Sequence, residues 1–436
     1  PKNYYYHDKC EAPGPTCSTC GYKRGHDYYQ AMVEEWAKTE DAQLADGQWY
    51  TPADREIECN QTFTGFVKLN SDLICTELNT TSGIVLEGPS AFLDCADFFI
   101  RGPRDDGRGN SPEEVSIGIT LKDGATAINC NVIGFYKGVL MEDGNIVLKD
   151  STVALAYDDN IRTEGDGCMV LDKVTSQGAS GTGNFFGGTA DGLDIRHSGT
   201  INIYKSTFNG NAGDGVDSED LATLPGLCLH ANNVVANFNE GNGYALDHPV
   251  GQTDLKMVTG SFNGDFGVSI SPFLDDDPDH TANVEDVVAI GNGEKGIRFR
   301  NLKEANIYGT MTSNFNGNDG FEIVCDLSDE CTVNDLGVVT LEGNLFDGLF
   351  FSGSNSTTFN VKPCATVQAC GNEIVSGTDV EFDATDPTTV NGDIICDTTG
   401  NQIPNFECQR GCTPAGSGTI CQSPVHAYCY PKPEDW

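Results

Sequence analysis

Two carboxylates two residues apart on one β-strand stand about 7 Å apart, inside the roughly 6.5–9.5 Å window that separates acid from base in an inverting glycosidase. The stretch Gly215-Val216-Asp217-Ser218-Glu219 offers such a pair. Asp194, Arg196 and His197 follow Gly192 in the same way, and Asp247 and His248 follow Gly243. Carboxylates gathered this closely cannot all ionise cheaply, so some should have raised pKa values or share a cation. The candidate catalytic set is therefore Asp194, Arg196, Asp217, Glu219, Asp247 and His248, with His197 beside it. In a chain with 65 acidic residues the default alternative is a solvated acidic face.

These side chains meet only if their strands stack, and a repeat supplies the stacking. Residues 314–323 read NFNGNDGFEI, and the Asn-x-x-x-Gly unit within it recurs from Asn211, Asn239, Asn263, Asn292, Asn316 and Asn344. Successive Asn are 28, 24, 29, 24 and 28 residues apart, a spacing in the range of solenoids. Beyond each Gly the first and third residues are mostly apolar: Leu193 and Ile195, Val268 and Ile270, Phe321 and Ile323. The second and fourth are mostly polar, which is the signature of a half-buried strand. A lone short strand cannot bury its apolar face, so successive coils must share one core. In this register one outward column reads Leu140, Arg162, Asp194, Asp217, Ala245, Ser269, Arg298. A second reads Glu142, Glu164, Arg196, Glu219, Asp247, Ser271, Arg300. The Gly should supply a tight bend into the strand. The Asn should form a ladder, and Phe208, Phe238, Phe262 and Phe315 an apolar stack beside it.

On this repeat, and on the entry stretch CNQTFTGFVKLNSDLICTELNTTSGIVLEGPSAFLDCADFFIRG, the chain resembles the secreted right-handed parallel β-helix superfamily. Pectate lyases, polygalacturonases and algal extracellular β-helix proteins share that architecture. The resemblance covers about residues 57–395 and implies an all-β fold, a single-stranded right-handed parallel β-helix solenoid. Residues 1–56 read as a Cys-rich N-terminal cap with an amphipathic helix over 27–45, and 396–436 as a disulfide-rich C-terminal cap or tail. The polygalacturonase signatures N-T-D, G-H-G and R-I-K do not occur. Alginate C5-epimerases carry a Tyr-x-x-Asp-Pro-His strand. Tyr244-Ala245-Leu246-Asp247-His248-Pro249 comes near it with His and Pro exchanged, and Asp277-Pro278-Asp279-His280 is a second near match. Moving a residue by one place on a strand sends it to the other face, so neither match carries the family's roles across.

Other residues bear on partners. Arg298 and Arg300, with Lys295 and Lys303 nearby, form a basic patch that fits an anionic sugar or the acidic surface of a neighbouring molecule. The acidic stretches at 157–159 and 274–280 offer hard oxygen ligands, so calcium is a possible cofactor and no other is indicated. Net charge is −40, which excludes a nucleic-acid partner because phosphate binding needs basic surface. No apolar run is long enough for a membrane span.

Eighteen cysteines point to disulfides in an oxidising, extracellular compartment: Cys10, Cys17, Cys20, Cys59, Cys75, Cys95, Cys130, Cys168, Cys228, Cys325, Cys331, Cys364, Cys370, Cys396, Cys408, Cys412, Cys421 and Cys429. The absence of a leader at Pro1 reads as removal of a signal peptide. The sequons at Asn60, Asn79 and Asn355 agree with secretion. A complete solenoid without an intact catalytic signature favours a secreted structural or assembly glycoprotein of extracellular matrix, cell wall or filament. Such a protein would self-associate or bind extracellular glycoproteins or acidic polysaccharide. The alternative is a carbohydrate-active enzyme acting on acidic polysaccharide.

Overall fold

The computed structural model describes residues 57–75, 82–103, 116–181, 190–218, 226–247, 251–272, 280–325, 331–353, 357–370, 380–384, 389–391, 395–396, 406–409 and 413–414. The expected helix over 27–45, the cysteines of the N-terminal cap, and Glu219, His248, Asn79 and Asn355 lie outside them. So do most residues of the C-terminal tail.

Every described strand pairing is parallel, and each joins a strand to its equivalent one coil further on, as in a parallel β-helix. The register runs Leu193 to Val216, Val216 to Tyr244, Tyr244 to Val268, Val268 to Ile297, Ile297 to Phe321 and Phe321 to Leu349. One Asn-x-x-x-Gly unit is therefore one coil. All seven of these side chains are completely buried, because the period-two alternation turns them inward. Three faces result. The first holds the strands just described. The second holds segments such as Thr200–Tyr204 and Leu227–Asn232, and the third holds Thr207–Asn209 and its equivalents.

The Asn ladder forms as the repeat predicts. The Nδ2 of Asn239 donates to Oδ1 of Asn263 at 3.0 Å, Asn263 to Asn292 at 3.1 Å, and Asn292 to Asn316 at 3.0 Å. Each backbone N–H of the row also donates to the next Oδ1, as Asn263 does to Asn292 at 3.0 Å. Every buried amide thus finds partners in the adjoining coils, as interior polar groups must.

The glycine of the phrase has a different reason from the one the sequence suggests. Gly215, Gly243 and Gly267 are not among the positive-φ glycines, so no special bend requires them. A Cβ on Gly267 would lie 2.6 Å from the carbonyl oxygen of Gly296 and 2.7 Å from Nδ2 of Asn292. The glycine is the space into which the ladder amide of the next coil fits, which is why Asn and Gly travel together. Gly267→Ala should therefore cost about 3 kcal/mol or more, since backbone and ladder would have to move apart. A urea unfolding midpoint within error of wild type would contradict this.

Two corners are built from left-handed residues. One uses Asn129, Asp150, Lys173, Lys205, Asn233, Met257 and Asp286; the other uses Gly134, Leu155, Gly178, Gly210, Phe238, Phe262, Gly291, Phe315 and Gly343. The expected phenylalanine stack is corrected here. Phe208 points into the core and is fully buried, while Phe238, Phe262 and Phe315 lie exposed at the second corner. Only Phe238 and Phe262 stack, at 5.3 Å between ring centroids and 8° between planes, because Gly291 interrupts the row before Phe315. Disulfides Cys59–Cys75 and Cys95–Cys130 staple the entry coils, and Cys168, Cys228 and Cys325 are disulfide-bonded as well. Asn60 is exposed and takes a left-handed φ of 65°.

Candidate functional site

On the first face, Arg162 pairs with Asp194, Asp194 with Asp217, Asp217 with Ala245 and Ser269 with Arg298. Glu164 pairs with Arg196 in the neighbouring column. Adjacent rungs place Asp194 and Asp217 about 4.8 Å apart at Cα. Although these positions face outward, several are covered: Asp194 is 1% exposed and Glu322 6%. Oppositely charged side chains lie across both.

Arg162 organises the cluster. Its Nε stands 2.9 Å from Oδ2 of Asp194, and its Nη2 stands 2.6 Å from Oδ2 of Asp159 and 3.3 Å from Oδ2 of Asp158. Arg196 Nε donates to the same Asp194 oxygen at 2.9 Å. The other oxygen of Asp194, Oδ1, is buried without a hydrogen-bond partner. Surrounded by carboxylates, the Arg162 guanidinium is held even more firmly in its charged form than usual.

Asp217 is the most perturbed acid with a defined value. Burial, followed by the charges of Asp191, Asp214, Asp194 and Asp247, pushes its pKa up to about 10, so it carries a proton at neutral pH. Burial also raises Asp159, helped by Asp194 and Asp158 and opposed by Arg162. Burial raises Asp214 against hydrogen bonds from Asn242.

Asp191 and Asp214 are members that the sequence reading passed over, and Asp159 entered it only as a possible calcium ligand. Each precedes the strand at the turn, and they are chained through the backbone. The N–H of Asp191 donates to Oδ1 of Asp159 at 3.2 Å, and that of Asp214 to Oδ1 of Asp191 at 2.6 Å. The recurring Asp-Gly pairs at 191–192 and 214–215 were the available signal.

The other candidates fall elsewhere. His197 lies within the strand that runs from Leu193 to Tyr204. It is buried, its Nε2 faces the carbonyl of Gly167 at 3.2 Å, and burial lowers its pKa. Tyr244, from the epimerase-like stretch, points into the core and donates to the carbonyl of Val234 at 2.9 Å. His280 is fully buried near Oγ1 of Thr253, 3.2 Å away, and burial lowers its pKa to about 3. Asp247 belongs to the cluster through its effect on Asp217, with its N–H donating to Oγ of Ser218 at 3.1 Å.

In the basic patch Arg298 Nε lies 3.1 Å from Oε2 of Glu322 and its guanidinium sits 5.2 Å over the ring of Phe266. Lys295 contacts Asp319 at 3.2 Å and also pairs with Glu322. Much of that patch is thus neutralised internally. Asp158 and Asp159 of the 157–159 stretch are turned to Arg162. Among the described residues no group of three or more His, Cys, Asp or Glu is arranged to hold a metal ion.

A second polar row went unnoticed in the sequence. On the second face Nδ1 of His230 lies 2.7 Å from Oδ2 of Asp254. Gln252 and Asn283 each donate to Oδ1 of Asp254 at 2.7 Å. The row continues from Asn306 to Asn283 at 2.9 Å and from Asn334 to Asn306 at 3.0 Å. Burial alone would raise the Asp254 pKa, but the bonds from His230, Gln252 and Asn283 outweigh it and hold the pKa below the usual value. Apart from Nε2 of His230, which is buried without a hydrogen-bond partner, the groups named here are answered by neighbours, and the row acts as a clamp between coils.

No family profile matches the chain, and no curated protein matches its sequence. Among solved structures it is similar to the mannuronan C-5 epimerase AlgE6 A-module of Azotobacter vinelandii. That match has 14% identity and a TM-score of 0.29, covering 78% of this chain and 85% of the other. A likeness that distant assigns no activity, and the β-helix itself rests on the strand registers given above.

Proposed function

We propose that this β-helix performs general acid–base chemistry on a polysaccharide laid across its first face. The carrying observation is the contrast between two neighbouring carboxyl groups. Asp217 holds a proton at neutral pH, while the Asp194 carboxylate is gripped through one oxygen by Arg162 and Arg196. A carboxyl that keeps its proton beside one held by two guanidinium groups can divide the roles of acid and base with it. Asp217 is the proton donor, and Asp194, with Oδ1 unpartnered, is the acceptor. Their rung separation of about 4.8 Å is shorter than the inverting window considered for Asp217 and Glu219. Arg196, whose side chain is 33% exposed, is the cation placed to receive a uronate carboxylate, so acidic polysaccharide is the favoured substrate class.

The test is incubation of the purified protein with alginate, pectate and neutral glycans, with and without calcium. Chain scission, unsaturated ends and epimerised residues are each measured. Turnover of at least one polymer is expected, falling about a hundredfold or more in Asp217→Asn and Asp194→Asn. No turnover of any polymer would remove the enzymatic reading.

A second reading, an extracellular scaffold, is favoured by the unbroken Asn ladder and the disulfides of the entry coils. Both serve durability, and the disulfides fit an extracellular protein. Regular fibres in micrographs of the native material, together with inert behaviour toward glycans, would establish it.

A further inference from the structure

The second left-handed corner carries four of the seven large hydrophobic side chains that are exposed among the described residues. Leu155 is 45% exposed, Phe238 61%, Phe262 53% and Phe315 56%. Backbone hydrogen bonds align them one above another: the N–H of Leu155 bonds to Gln177, of Gly210 to Asn237, of Phe238 to Ser261 and of Phe262 to Ile290. All four side chains sit at φ between 55° and 59°, where a bulky L-residue is a conformational outlier. The fold does not require them, because Gly134, Gly178, Gly210, Gly291 and Gly343 take the equivalent places in other coils. The other corner fills the same conformation with Asn129, Asp150, Asn233 and Asp286, of the types that tolerate it best after glycine, alongside Lys173, Lys205 and the single large apolar residue Met257. Apolar rings are thus kept at a strained, wet position where glycine would serve, which points to a use at the surface.

The glycines shape that surface. A Cβ on Gly291 would meet the ring of Phe262 at 2.9 Å, and one on Gly343 the ring of Phe315 at 2.6 Å. Each ring therefore leans over the glycine of the next coil. At Gly210 no atom stands within 4 Å of where a Cβ would be, because Gly178 below it has no side chain to lean over. The result is a shallow open groove of about 450 Å³, with Leu155 and Phe238 as walls, Gly178 and Gly210 as floor, and Gln177 and Asn209 at its rim.

The occupant follows from size and charge. Only eight residues line the groove, against about 20–30 on each side of a stable protein interface. No lining residue is charged, in a chain of net charge −40 that repels a second copy of itself. Flat apolar walls with amide groups at the rim suit a sugar ring, which presents a C–H face flanked by hydroxyls. We infer that this corner is a binding groove for an uncharged polysaccharide strand. The strand crosses the corner between Leu155 and Phe238, with a ring face against Phe238, whose other side Phe262 backs. The groove is separate from the Asp194–Asp217 pair and does not depend on its chemistry.

The test titrates the full chain with hexasaccharides of β-1,4-glucan, β-1,3-glucan, β-1,4-mannan and β-1,4-xylan, using oligogalacturonate as the charged comparator. At least one neutral hexasaccharide should bind saturably. Its Kd should rise about tenfold or more in Phe238→Gly and Phe262→Gly, as when an aromatic anchor is lost. These variants should melt no lower than wild type, since glycine adopts the corner conformation freely. Gly210→Asn, which fills the floor with a residue tolerant of that conformation, should also abolish binding and decides the matter if a Phe variant fails to fold. Asp217→Asn should bind as wild type. Failure of every neutral hexasaccharide to bind would overturn the inference. So would unaltered binding by the folded corner variants, or oligogalacturonate binding equally tightly at the same residues. A dimer in sedimentation that Phe238→Gly dissociates would assign the corner to a second copy instead.

Discussion

Asp217→Asn should stabilise the protein progressively as the pH rises. The native pKa of Asp217 is raised to about 10, mainly by burial and then by Asp191, Asp214, Asp194 and Asp247, whereas an unfolded Asp titrates near 3.9. Between those values the folded chain holds a proton that the unfolded chain releases. This contribution to stability is fully present below about pH 4 and is lost as the pH climbs toward the folded value. The loss is about 1.4 kcal/mol per pH unit. Asn reproduces the neutral carboxyl without titrating, so the variant escapes the loss. Urea unfolding of both proteins at pH 6 and pH 8 should show their difference widening by about 2–3 kcal/mol. Parallel curves would mean that Asp217 is ionised in the native state, and the proposed proton donor would be lost with it. A variant that gains stability while losing turnover would identify a residue retained for chemistry at the expense of the fold.

The first-face register was legible because one strand pattern follows each recurring glycine, so Asp194 and Asp217 could be stacked by counting from Gly192 and Gly215, and Arg162 by counting from Asn160, which stands in the same place one coil earlier. Counting failed once a variable stretch intervened. Leu227 comes nine positions after Ser218, Gly251 five after Leu246, and His280 ten after Ile270. The His230–Asp254–Asn283 row therefore has no fixed offset from the glycine and is visible only in space. The place of Asp159, Asp191 and Asp214 in the cluster escaped for another reason. They precede the strand, where period two no longer applies, and their carboxylates serve the turn above as well as the cluster. The outward face was read as solvated because alternation reports direction and not cover. The guanidinium groups that cover Asp194 come from Arg162, one rung away in its own column, and from Arg196 in the neighbouring column. Strand periodicity carries no information about where such long side chains fold.

Arg162→Met tests whether the cluster is dry enough for the proposed chemistry. Arg162 is the guanidinium shared by Asp158, Asp159 and Asp194, and the side chains of the last two are each only 1% exposed. Methionine fills similar volume and removes the charge, leaving buried carboxylates facing one another. Breaking a buried pair from one side costs about 3–5 kcal/mol, and that loss is expected at pH 7. Burial and mutual repulsion already push Asp159 upward against Arg162, so without the arginine the folded state should favour protonation more strongly. The deficit should accordingly shrink as the pH falls, and Asp159→Asn added to Arg162→Met should recover part of it. Lysine at 162 should rescue poorly, because a single ammonium cannot reproduce the planar fork spanning three carboxylates. A loss below about 1 kcal/mol, the range of exposed ion pairs, would show that water reaches these groups. Burial could not then hold the proton on Asp217, and the acid–base assignment would fail together with the cluster that supports it.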